Sequence, residues 1–160
     1  MSLIHHIPEH AERLHPDSIK VSRIIGALIA LIPLAIGSFI GIMSENYWII
    51  LIGVLVFLVV FVVSFIYAKK AYQYSYYWVS EEGLYIQQGV MWRKKTLIPK
   101  NRVQHTDVSQ GPLDRKYQLA KLTVHTAGTR DASVDLSGVL FDTANELRAY
   151  LLDEELSDAV

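Results

Sequence analysis

The chain has 160 residues, 51% of them hydrophobic and only 19% charged, with 15 Lys and Arg set against 16 Asp and Glu. This excludes an intrinsically disordered protein, which is poor in apolar residues and rich in charge, and a net charge of −1 excludes a strongly basic nucleic-acid binder. With no Cys in the chain, disulfide staples, thiolate metal sites and Cys nucleophiles are excluded as well.

Residues 1–22 read as a polar cytoplasmic lead-in carrying four His: His5, His6, His10 and His15. His6 and His10 have the i, i+4 spacing of a helical metal pair, but Pro8 between them breaks the helix such a pair requires. No Glu directly follows the first His, as the zinc-protease pattern demands. The segment reads as flexible, with no metal site.

Two uncharged apolar runs follow, residues 24–43 and 47–68. At about 1.5 Å per residue, twenty helical residues cover roughly 30 Å, the thickness of a bilayer's hydrocarbon core. The alternative, two buried helices of a soluble protein, needs more surrounding chain than is present. The first run is also too long, and begins too late, for a cleaved signal peptide. Ser44, Glu45 and Asn46 are the whole link, so the runs form an antiparallel hairpin spanning residues 23–70. Lys20, Arg23, Lys69 and Lys70 flank the hairpin at its open end, and the turn carries Glu45 alone. The positive-inside rule then places both termini in the cytoplasm. Tyr47 and Trp48 at one end, and Tyr67, Lys69 and Lys70 at the other, are the expected membrane-interface anchors. Pro33 and Gly37 are expected to loosen or kink the first helix. The spans carry no charge from which to build a proton relay or a transporter's ion pair.

Beyond Lys70 the pattern turns to short strands. Residues 72–79 are rich in aromatics, and residues 84–88, 90–98, 103–108, 119–126 and 133–136 are further strand candidates. Turn residues separate them: Gly83, Gly89, Pro99, the sequence Ser109-Gln110-Gly111-Pro112, Gly128, and Ser137-Gly138. This spacing argues an antiparallel sheet, barrel or sandwich. In residues 119–126, Leu122 and Val124 face one way, Thr123 and His125 the other. Asp142 or Thr143 caps a final helix, on which Ala144, Leu147 and Leu151 form one apolar stripe. The β-rich domain with this helix occupies residues 71–155, leaving a tail over 156–160. The acids Asp153, Glu154, Glu155 and Asp158 oppose the helix dipole, so the helix is expected to fray there.

Several stretches resemble the small bacterial membrane proteins with a pleckstrin-homology-like (PH-like) domain and two transmembrane helices. They are Arg13-Leu14-His15-Pro16 ahead of the hairpin, Tyr77-Trp78-Val79, Glu82-Gly83-Leu84-Tyr85-Ile86 with Gly89, and Ile98-Pro99-Lys100-Asn101-Arg102-Val103-Gln104. Gly111-Pro112-Leu113-Asp114-Arg115 and Leu122-Thr123-Val124-His125-Thr126-Ala127-Gly128 complete the set. The resemblance implies a membrane helical hairpin plus a β-rich PH-like domain, a partly open antiparallel barrel of two sheets capped by a C-terminal helix. It implies a multi-pass protein of the bacterial plasma membrane, possessing neither enzymatic activity nor cofactor. Its members resemble scaffolding or envelope-associated proteins, some with partners holding several copies of the domain. The basic-loop pattern by which eukaryotic relatives bind phosphoinositides does not transfer residue by residue.

The densest polar feature is basic: Arg93, Lys94, Lys95, Lys100 and Arg102, with no acid among them and Trp92 alongside. On a tethered domain this cluster suits contact with an anionic leaflet or a partner. A solvated hairpin whose charges resist edge pairing is the plain alternative. His105, Asp107 and Ser109 lie close in sequence, yet His105 and Asp107 on one strand face are too far apart for an ordinary triad pair. The expected function is therefore a non-catalytic assembly module that binds itself or a related multi-copy PH-like membrane protein. The alternative is a sensor of anionic lipid or envelope stress working through residues 93–102.

Overall fold

The structure, a computed structural model, describes Pro8 and residues 11–127 and 133–152. His5, His6 and His10, and the acidic run after Leu152, lie outside the described residues. The chain divides into a helical unit, Ile19–Lys70, and a second unit of Met1–Ser18 with Ala71–Val160.

The two long helices are α1, Asp17–Met43, and α2, Tyr47–Gln73. Both are long and apolar enough to cross a membrane. Their side chains face outward: Phe39 is 68% exposed and Leu55 61%. A soluble protein rarely leaves so continuous an apolar surface to water, whereas lipid tails solvate it. α1 continues as helix through Pro33, and Gly37 serves the contact between helices. A Cβ on Gly37 would lie 2.8 Å from the Cα of Gly53, so the two backbones meet at these glycines. Small residues permit such approach where no hydrophobic effect drives helices together. In the turn, Asn46 Oδ1 accepts the Trp48 N–H at 3.1 Å, capping α2.

The second unit holds two antiparallel sheets. The first has the order β1-β2-β3-β4, with β1 Glu12–Arg13, β2 Tyr76–Ser80, β3 Gly83–Gln88 and β4 Lys94–Pro99. A 3-10 turn, Lys100–Arg102, leads to the second sheet, β5-β6-β7: Val103–Ser109, Leu119–Thr126 and Ser133–Leu140. A short helix α3, Pro112–Lys116, joins β5 to β6, and α4, Phe141–Leu152, closes the unit. Period-two alternation turns Leu84 and Ile86 of the first sheet, and Leu122, Val124 and Leu136 of the second, into one core. The stripe Ala144, Leu147 and Leu151 of α4 completes it, as its spacing predicts. Each fully buried Leu contributes about 1.5–3 kcal/mol.

Four local readings change. The aromatic run at 72–79 begins as helix, since α2 continues to Gln73. Residues 90–93 are a hairpin tip rather than strand, with Gly89 at φ +117°. The Gly111-Pro112 turn opens α3, where Pro112 suits a first helical turn and Asp114 accepts the Gly111 N–H at 3.1 Å. Ser137-Gly138 does not end a strand. The register shifts between Ala120 and Lys121, and Gly138 at φ +84° carries β7 on to Leu140.

Residues 12–15, expected to be flexible, are built into this unit. Glu12 and Arg13 pair with Tyr77 and Tyr76, and the His15 N–H donates to the Gly138 carbonyl of β7 at 2.8 Å. The segment thus touches both sheets. Tyr77 donates its hydroxyl proton to the Glu12 carboxylate. Burial, followed by that bond, pushes the phenol well above its ordinary value.

Candidate interaction surface

The five cations of residues 93–102 do not form one compact patch. From Lys94 to Lys100 the strand runs about 20 Å at ~3.3 Å per residue. Three of the five already rest on aromatic rings. Arg93 lies 4.7 Å from the Tyr74 centroid, Lys95 lies 4.7 Å from Trp78 and 5.1 Å from Tyr85, and Lys100 lies 3.5 Å from Tyr150. Trp78 and Tyr85 are themselves stacked at 5.0 Å. Such cation–π contacts stabilise by about 0.5–1 kcal/mol each at exposed sites. Lys94 and Arg102 are exposed at opposite ends of the segment.

The exposed element near Arg93 is apolar. Met91 is 83% and Trp92 86% exposed at the β3–β4 tip. The pairing of Tyr76 with Gln87 puts this tip at the end of the sheet where the chain arrives from Lys70. The interface anchors expected from sequence, Tyr47, Trp48, Tyr67, Lys69 and Lys70, all lie near the ends of α2 and all are exposed.

The second sheet offers two further features. Its last strand, β7, is an edge: among the described residues no strand pairs with its outer side. This strand has eight residues and contains no Lys, Arg or Pro. Its solvent face carries a polar group drawn from all three strands. His105 and His125 occupy paired positions on β5 and β6, their rings stacked at 4.1 Å. Asp107 Oδ2 lies 3.3 Å from His125 Nε2. One ligand atom from each of these three residues falls within 4.8 Å of the others. Beside them Asp135 pairs with Lys121 at 2.7 Å and accepts the Thr123 hydroxyl proton at 2.8 Å. Partial desolvation raises the Asp135 carboxyl, but Lys121, Thr123 and His125 outweigh it and hold the group below its ordinary value.

His105 and Asp107 share a strand face, as expected, and the sheet supplies Asp107 with a partner that the sequence did not suggest, His125, 18 residues later. A pocket of about 320 Å³ between β2 and α4 also went unread in the sequence. Glu12, Tyr77, Glu146 and Tyr150 supply its polar lining.

Comparison with known proteins adds the family. The model described as Bacterial PH domain matches residues 16–155. UPF0699 transmembrane protein YdbS of Bacillus subtilis (strain 168) is 36% identical over 122 residues, covering 73% of this chain and 77% of the relative. No solved structure matches the chain.

Proposed function

The chain belongs to the bacterial PH domain family, and from that premise we propose that it is a non-catalytic assembly module held at the cytoplasmic face of the plasma membrane, binding a second copy of itself or a related membrane protein carrying PH-like domains. The observation that carries this reading is the outer edge of β7, which no described strand covers and which the His15 N–H meets at the Gly138 carbonyl. An edge strand presents a row of backbone donors and acceptors, and soluble proteins usually blunt it with Lys or Pro. Ser133–Leu140 has neither, which suits strand addition by a partner. The apolar surface of α1 and α2 supports the anchor, and Lys20, Arg23, Lys69 and Lys70 at the hairpin's open end support the inward orientation.

The absence of Cys makes the test clean. Ser137→Cys in the full chain, treated with a cysteine-directed photo-cross-linker in native membranes, is expected to give a discrete adduct. Glu82→Cys, in the β2–β3 turn, is expected to give none. Monomer alone from both positions overturns the reading.

A second reading has its own support in Met91 and Trp92. Tyr74 follows Lys70 by four positions, a chain reach of at most ~14 Å, and Arg93 lies on the Tyr74 ring. An apolar tip flanked by cations suits an anionic membrane surface, at about 1 kcal/mol per Lys or Arg near it. Met91→Cys, labelled with an environment-sensitive dye in nanodiscs, is expected to shift blue with anionic lipid and to revert with salt. No shift at low salt ends this reading.

A further inference from the structure

We propose that His105, Asp107 and His125 form a binding site for a divalent transition-metal ion, zinc being the best fit. Two imidazoles stacked on paired strands and a carboxylate two residues along the same face bring one ligand atom each to within 4.8 Å of the others above the β5–β6 ladder. Zinc holds nitrogen at about 2.0–2.1 Å and carboxylate oxygen at about 2.0–2.2 Å, so tetrahedral ligands lie roughly 3.3–3.5 Å apart. His125 Nε2 and Asp107 Oδ2 already stand 3.3 Å apart. No ligand pair exceeds 4.8 Å, so His105 closes the set by moving its ring nitrogen at most about 1.5 Å inward. That movement turns the exposed His105 ring out of its stack on His125 while the strand stays fixed.

The chemistry agrees. Imidazole and carboxylate donors suit zinc, copper and nickel, whereas calcium and magnesium prefer oxygen alone. Three protein ligands leave a fourth position open to water or to a donor from outside. The ligands sit on two hydrogen-bonded strands, which fix their spacing better than a loop would. Lys121, on the same face of β6, is bound to Asp135 at 2.7 Å.

The test uses the full chain in detergent, purified without a histidine tag, and zinc chloride as the probe. His5, His6, His10 and His15 are a competing source of imidazole, so a second form carries His5→Gln, His6→Gln, His10→Gln and His15→Gln. Isothermal titration is expected to give one zinc per chain in both forms. His125→Ala, with unchanged circular dichroism, is expected to weaken binding at least tenfold, as is His105→Ala. A zinc-dependent rise in Tm present in the parent and lost in His125→Ala gives a second readout. Binding that vanishes with the four amino-terminal substitutions, or that survives His105→Ala and His125→Ala unchanged, overturns the site.

Discussion

The basic hairpin and the outer face of the three-stranded sheet carry their charge in opposite ways. Residues 93–102 are dense in cations along the sequence, yet in space they are strung out and three of the five lie on aromatic rings. His105, Asp107 and His125 are sparse along the sequence, yet strand pairing brings one ligand atom of each to within 4.8 Å of the others. Density in a chain is thus a poor guide to a site. Convergence across strands is what concentrates ligand atoms, and it is invisible until the register is known.

Predictions that sharpen this contrast begin with what the two sheets share. Leu84→Ala in the first and Leu122→Ala in the second, both 0% exposed, are each expected to cost about 2–5 kcal/mol. Denaturant unfolding of the detergent-solubilised chain checks this, and similar costs confine the difference to the outer faces. Next comes the exchange of roles: Lys95→Gln leaves zinc affinity untouched, while His125→Ala lowers it at least tenfold, about 1.4 kcal/mol. Equal effects on titration would erase the distinction. Lys95→Gln itself is expected to lower stability by about 0.5–1 kcal/mol through the Trp78 and Tyr85 contacts, read from the same unfolding curves.

The smallest effect concerns Asp135. Its folded-state value is lowered, so its contribution is present above the ordinary carboxylate value of 3.8 and is lost as pH falls through the folded-state value. The ion pair is partly exposed, with Asp135 at 47%, so Asp135→Asn is expected to remove only about 0.2–1 kcal/mol at neutral pH. The variant's stability should then change less between pH 5 and pH 3 than the parent's, as followed by thermal unfolding.

What the sequence made legible follows the length and regularity of each pattern. The two spans stand out because some twenty uncharged residues have few alternative environments. The stripe Ala144, Leu147 and Leu151 and the alternation of Leu122 and Val124 also read directly, since each repeats a helix or strand period. Glu12–Arg13 left no such trace: two polar residues have no periodicity, and only their pairing with Tyr77 and Tyr76 makes them a strand. The five residues of α3 are likewise too few to show a stripe. The full extent of β7 was hidden because Gly138 marks turns and bulges alike, and the local sequence does not distinguish them. For the His–Asp–His group the outward face of each strand was readable. The pairing of His105 with His125 was not, because α3 intervenes and leaves the β5–β6 register undetermined by the local pattern.

A membrane-held assembly module requires lipid around α1 and α2 and the β unit at the inner face. Impermeant maleimide labelling of intact cells decides this, using Glu45→Cys in the helical turn and Ser137→Cys on β7 of an otherwise Cys-free chain. The account predicts that position 45 labels in intact cells and position 137 only after permeabilisation. Labelling at 137 from outside, or recovery of the protein in the aqueous fraction without detergent, would contradict it.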